Sequence, residues 1–222
     1  MSQNAFLDTG VVIAFCFLLD RHHRNCEDYL RERQDDGDNL YLSSEVEDEY
    51  SRKKSEIAEK LSGQVLEHRD FVGDSADDGQ LGPLDINELQ RNLSRWGKEA
   101  SGFLVQYYEE KGNFVSKEEI LRELRDLSRE IEKTAIERKQ TVDSATEEWE
   151  KREEHPELHS LLSVIHGSDR HICIVAHDLA CHADGETELA TTNPNDFVDD
   201  GREELILEHT ELDRIVDLAR RG

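Results

Sequence analysis

Ala5-Phe6-Leu7-Asp8-Thr9-Gly10-Val11-Val12-Ile13 is the stretch on which the fold turns. A three-residue apolar run ends in an acid, a small polar residue and a glycine, and a second apolar run then extends to Leu19. The first run suits a buried strand, the second is long enough for a buried helix, and Asp-Thr-Gly between them is turn chemistry. Strand, tight turn and helix is the repeating unit of a parallel sheet covered on both faces.

Outward from this unit the pattern continues. A polar helix is predicted from about His22 to Arg33, a second strand at Leu40-Tyr41-Leu42, and a helix from Ser43 with Val46, Tyr50, Ile57, Leu61 and Val65 inward. Residues 73–83 are a Gly/Asp-rich break. Beyond it Asp85 and Glu88, and then Ser116 and Glu119, have the spacing of capping boxes. Ile120, Leu124, Leu127 and Ile131 share one helix face, so residues 84–150 are predicted as two long helices in a hairpin, with the stripe packed inside the chain and not at a dimer seam. Glu154-His155-Pro156 opens another helix, Gly167-Ser168 interrupts it, and a further helix runs from Asp169 to about His182. Strands are predicted at Glu188–Thr191 and Leu205–Leu207, and a short terminal helix from Thr210. The expectation is an α/β fold, a three-layer α/β/α sandwich with a central parallel sheet. Residues 1–72 form its first part, 73–154 a helical insertion and 155–222 its second part.

Acids outnumber bases 52 to 27, for a formal charge of -25. So acidic a surface ordinarily opposes nucleic-acid binding. The acids are spread along the whole chain, however, and lysine is scarce beside arginine, which favours a halophile's salt-filled cytoplasm over a basic partner. Cys16 and Cys173 lie in apolar runs, and Cys26 and Cys181 complete no C-x-x-C pair, so thiols in a reducing compartment are expected. The apolar run from Val11 to Leu19 is too short to span a bilayer and no basic leader precedes it. A cytoplasmic protein with no membrane partner is the expectation.

In a doubly wound sheet, functional residues gather at the carboxyl ends of the strands. Asp8 ends the first strand, Glu49 lies one to two turns into the helix after the second, and Asp169 opens a helix at a Gly-Ser break. Taken alone, each is one surface acid among 52. Brought together, their oxygens make a hard site of the kind Mg²⁺ or Mn²⁺ prefers.

Four segments in order resemble the PIN-domain family. Phe6-Leu7-Asp8-Thr9-Gly10-Val11-Val12-Ile13 is similar to its opening strand, turn and helix. Ser43-Ser44-Glu45-Val46-Glu47-Asp48-Glu49 resembles the second motif and places the family glutamate on Glu49 in preference to Glu45 or Glu47. Asp169 with Ala176 seven residues on resembles the third, and Thr191-Thr192-Asn193-Pro194-Asn195-Asp196-Phe197 the fourth. The resemblance covers about residues 4–70 and 156–209. It implies cation-dependent hydrolysis of RNA, with Asp8, Glu49 and Asp169 at the metal and Asp196 as a fourth catalytic acid. Thr9 and Asn193 would contact substrate, and the basic run Arg52-Lys53-Lys54 would meet phosphates or remain a solvated face. Some relatives pair with an antitoxin and relatives often dimerise, so an antitoxin, another protein partner or a homodimer stays open. The insertion has no counterpart in compact members, and Asn193 stands where another form of the motif has an acid. Those departures support an alternative: a catalytically degenerate PIN-like scaffold whose helical insertion binds a partner protein. A DNA structure-specific nuclease would share the chemistry and differ in substrate. Trp96, Tyr107, Tyr108 and Trp149 fall in the insertion and read as packing ahead of base stacking. His177, Cys181 and His182 lack zinc spacing and read as helix-surface groups.

Overall fold

The computed structural model describes residues 3–75, 79–112 and 114–221. Strand β1 (Asn4–Leu7) runs straight into α1 (Thr9–Cys16), whose Val11, Val12, Ala14, Phe15 and Cys16 are all buried. α2 (His23–Asp36) ends at Gly37, whose φ of 73° is the left-handed conformation that a residue without Cβ adopts freely. β2 (Asn39–Leu42) and the 32-residue α3 (Ser44–Ser75) follow. β3 (Gln80–Leu81), α4 (Pro83–Trp96), α5 (Ser101–Lys111) and β4 (Val115–Ser116) form a small module, closed by antiparallel pairing of β3 with β4. The long α6 (Lys117–Ala145) leads back to β5 (Glu147–Glu148). The rest is α7 (Pro156–Leu161), α8 (Gly167–His182), β6 (Thr187–Thr191), α9 (Pro194–Phe197), a 3-10 turn (Asp199–Gly201), α10 (Arg202–His209) and β7 (Arg214–Asp217).

The sheet has the order β5-β2-β1-β6-β7 with every pairing parallel, flanked by helices, which is an α/β fold. Burial falls off from its middle. β1 and β6 are buried at every position, as strands covered on both faces must be, whereas β2 is mixed and β5 is exposed. Asn4 is the polar residue of β1. Its amide donates to Asp184 O at 3.0 Å and accepts from Asn39 Nδ2 at 3.1 Å, so it ties β1 to β2 and to the loop before β6.

α3 extends well beyond the sheet and needs a second partner for its apolar stripe. α6 supplies it, running antiparallel: Glu47 pairs with Lys139 at 2.7 Å, the Tyr50 hydroxyl donates to Ala135 O at 3.4 Å, and Ser55 Oγ donates to Glu132 at 3.3 Å. Ile120, Leu124 and Ile131 are buried in this contact within one chain. The Ser116 hydroxyl caps α6 by accepting from Glu119 N.

Several sequence expectations need correction. Residues 84–150 hold three helices, and the long hairpin pairs α6 with α3, which starts far upstream. The cap of α4 lies one turn earlier than expected, where Asp85 Oδ2 accepts from Gly82 N at 2.8 Å. Leu205–Leu207 is helical in α10 and not a strand, and the last strand is β7 where a helix was expected from Thr210. A three-residue apolar trio carries no period of its own. Only Ile206 of the three is fully buried, and acids in the first turn of α10 with His209 in its last suit the helix dipole. The segment expected as an insertion is also stitched to the sheet, because β5 pairs with β2. All four cysteines are free. Among the described residues no helix is long and apolar enough to cross a membrane.

One buried acid fastens the return of that segment. Asp178 of α8 is completely buried and accepts from Trp149 Nε1 (3.0 Å), Arg152 N (2.9 Å), Glu153 N (2.9 Å) and His155 Nε2 (3.1 Å). Burial pushes its carboxyl up, but these donors outweigh burial and hold it below the usual carboxylate range. Asp178→Ala leaves the donors unmet and should cost about 3 kcal/mol in urea denaturation. A midpoint equal to wild type would show that the loop 149–155 is held by something else.

Candidate active site

Leu7 pairs with Ala190, so Asp8 and Thr191 emerge side by side where β1 and β6 end. Asp8 N donates to Ala190 O at 3.0 Å, and the Thr191 hydroxyl donates to Asp8 Oδ2 at 2.9 Å. That hydroxyl also accepts from Asn193 N at 2.9 Å, which fixes the loop into α9. Gly10 makes the approach feasible: a Cβ there would stand 2.3 Å from Thr192 Oγ1 and 3.2 Å from Asp8 Oδ2.

Thr9, the first residue of α1, donates its hydroxyl to Glu49 Oε2 at 2.8 Å and so draws the second turn of α3 onto the same edge. Lys53, one turn further along α3, sits 2.5 Å from Glu49 Oε1. Asp169 lies in the first turn of α8, where the positive end of the helix dipole faces it. In α9, Asp196 Oδ2 accepts from Asn193 Nδ2 at 2.8 Å.

The electrostatics tie these acids into one set. Asp8 is only 3% exposed, and its carboxyl is pushed up to about 7, first by burial and then by the charges of Asp169 and Glu49, against the help of Thr191. Asp169 is pushed up to about 6 by burial and by Asp196 and Glu49. Burial also raises Glu49, but Lys53 and Thr9 outweigh it and leave the carboxyl below its usual range. Asp8 and Asp169 are the acids of this edge that resist ionisation.

Of the acids singled out from the sequence, Asp8, Glu49, Asp169 and Asp196 thus feel one another across this edge. Glu45 and Glu47 do not join them, since Glu45 accepts from His171 at 2.8 Å and Glu47 pairs with Lys139. Arg52 is exposed and bonds Asp48 O, although its charge still acts on Glu49, while Lys53 is engaged with Glu49 directly. His177 belongs elsewhere: it accepts from Glu211 N at 2.9 Å and lies against His155 with ring centres 4.6 Å apart. Thr191, the hydroxyl that serves Asp8, was given no role from sequence, although it opens the fourth motif-like segment and ends a buried strand.

The donor set is all oxygen, the chemistry that Mg²⁺ or Mn²⁺ prefers. Clustered like charge in a buried setting is what a divalent cation would relieve. Among the described residues, however, no three His, Cys, Asp or Glu side chains are drawn together as a finished cage. Comparison with protein-family models, curated proteins and solved structures gave no match.

The raised carboxyl of Asp8 has a measurable sign. The folded chain holds this proton more tightly than the unfolded one, so the stability it contributes is full below about pH 4 and lost as pH rises through about 7. Asp8→Asn keeps an acceptor for Thr191 and removes the charge. In EDTA near pH 8 it should be more stable than wild type by on the order of a few kcal/mol, and the gain should vanish below about pH 4. Thermal denaturation across that range decides it; a less stable variant at high pH would refute the account of burial and repulsion.

Proposed function

We propose that this chain is a PIN-like nuclease that hydrolyses RNA with Mg²⁺ or Mn²⁺ at the acidic edge of its sheet. The observation that carries the reading is the buried Asp8 carboxyl, set at the end of the central strand and pushed up by burial and by Asp169 and Glu49 facing it. Perturbed carboxylates of this kind concentrate at functional sites. The order of the four motif-like segments, each beside an element boundary, supports the reading.

Asp8 and Asp169 would hold the cation, with Glu49 completing the set or orienting a water. Such a cation supplies positive charge that activates water and neutralises the phosphate oxygens. The chain's own residues prepare the place. Thr191 orients Asp8, Thr9 orients Glu49, and Asn193 orients Asp196, each through one hydrogen bond. Lys53 is the nearest cation to the set and would be free to meet a phosphate once Glu49 turned to the metal. No nucleophilic side chain is needed.

A second reading has an observation of its own. Lys53 and Asn193 already satisfy Glu49 and Asp196, as they would in a scaffold that has lost its metal. The test is cleavage of mixed RNA and single-stranded DNA in high KCl with Mn²⁺, comparing wild type with Asp8→Asn. Metal-dependent RNA cleavage should fall at least about a hundredfold in the variant. Folded wild type that is inert, with no Asp8-dependent metal binding, would leave the scaffold reading standing; cleavage of DNA alone would change the substrate and keep the chemistry.

A further inference from the structure

Two adjoining hollows lie on the outer face of the helical module. The first is a cavity of about 320 Å³ between α3 and α4, walled by His68, Phe71, Leu93 and Trp96, with Asn92 at its side. The second is an open groove along α4 that shares Asn92 and holds Arg91 and Arg95.

The cavity wall is aromatic, with one acid, Glu67, whose charge is paired with Lys98. The His68 and Phe71 rings stack at 28° with centres 6.3 Å apart, and the Trp96 ring lies 6.1 Å from His68. His68 donates to or accepts from the Tyr108 hydroxyl at 2.9 Å, and burial lowers its pKa to about 4, so the ring is neutral near pH 7. Phe71 is 43% exposed, far more than an aromatic packed only for stability. Lys98 lies 4.5 Å over the Trp96 ring and is paired with Glu67, which closes one side.

The groove holds two cations and one acid, Glu88. Arg33, Arg138, Arg214, Arg220 and Arg221 all pair with carboxylates. Arg91 and Arg95 are exposed, lie one helical turn apart, and make no ion pair or hydrogen bond with the described residues. Arg24, Arg122, Arg125 and Arg129 are likewise exposed and unpaired among the described residues, so what sets Arg91 and Arg95 apart is their place beside the aromatic cavity.

We propose that this face binds single-stranded RNA, with a base entering the aromatic cavity and the adjoining phosphates meeting Arg91 and Arg95. A base offers a flat ring for Phe71 and Trp96 to stack on and polar edges for the Asn92 amide, which is both donor and acceptor. A purely apolar ligand would leave the arginines and Asn92 unused. Taking RNA as the ligand rests on the proposed nuclease function, although the binding itself needs no catalysis.

The placement adds a length requirement. Glu49 and Phe71 stand 22 residues apart on α3, a distance along the axis of about 33 Å. Twenty-two residues are six turns and about 40°, so both lie on the same side of the helix. A strand reaching from the acidic edge to the cavity would therefore need about ten stacked nucleotides at roughly 3.4 Å each.

The probe is a fluorescein-labelled twelve-nucleotide oligoribonucleotide, titrated by anisotropy in EDTA and KCl against the full chain. Trp96→Ala should weaken binding about ten- to a hundredfold. The double variant Arg91→Gln/Arg95→Gln, which changes only exposed side chains, should lower the salt dependence by about 0.7 log units per charge removed. An oligonucleotide of the same length lacking bases should bind far more weakly. Equal binding by both cavity and groove variants, equal binding of the baseless strand, or no binding by wild type would overturn the proposal. Cleavage without these effects would remove this site and leave the nuclease reading intact; these effects without cleavage would do the reverse.

Discussion

The pairing of β1 with β6 is the constraint on which the acidic edge depends. It sets Leu7 opposite Ala190 and so delivers Asp8 and Thr191 to one spot. A slip by one residue would turn every side chain of the strand to the other face and remove Asp8 from its hydroxyl partner. The lock against slipping sits at the far end of the same strand. Asn4, buried between Asn39 and Thr187, has its amide met by Asn39, Thr187 and the turn at Asp184 in this register. An unmet buried amide is costly, so the polar residue at one end of β1 specifies where the acid at the other end emerges.

Three buried or half-buried acids receive different treatment, and the contrast is informative. Glu188 in β6 is met by Tyr29, Arg33 and Arg214, and Asp178 by four N–H donors. Both are fully served and hold the fold together. Asp8 is as deeply buried but receives one side-chain hydroxyl, with other carboxylates facing it. An acid kept in so unfavourable a setting is the feature on which the proposed cation site rests.

Much of this was legible in the sequence where the signal is local. Ala5 to Ile13 carries strand, turn and helix in one stretch, and the positions of Asp8 and Asp169 at element junctions follow from neighbours in the chain. Ser116 was legible as a cap for the same reason. What failed was settled by distant residues. Leu205–Leu207 is too short to show a period, and β7 is recognisable only by the sheet edge it completes. The partner of α6 is a helix some seventy residues upstream, so the stripe on α6 could be read but not its recipient. Glu45, Glu47 and Glu49 are alike as neighbours on one helix; Thr9, Lys139 and His171 tell them apart, and none of those lies near them in sequence. Among the aromatics of the helical module, Tyr108 proved to be packing and Trp96 lines an open cavity, a distinction that depends on where α4 meets α3.

The two-residue strand β5 also decides how the sheet meets its surroundings. A parallel sheet ends in a row of unsatisfied backbone groups, which invites a strand from another molecule to add itself and so begin a fibre. Here the outermost rung consists of Glu147 and Glu148, both exposed, and is too short to pair with more than a fragment of an incoming chain. A second copy arriving edge-on would bring the same two carboxylates against these. The acidity that makes this chain look unsuited to nucleic acid thus serves, at its sheet margin, as protection against self-templated aggregation.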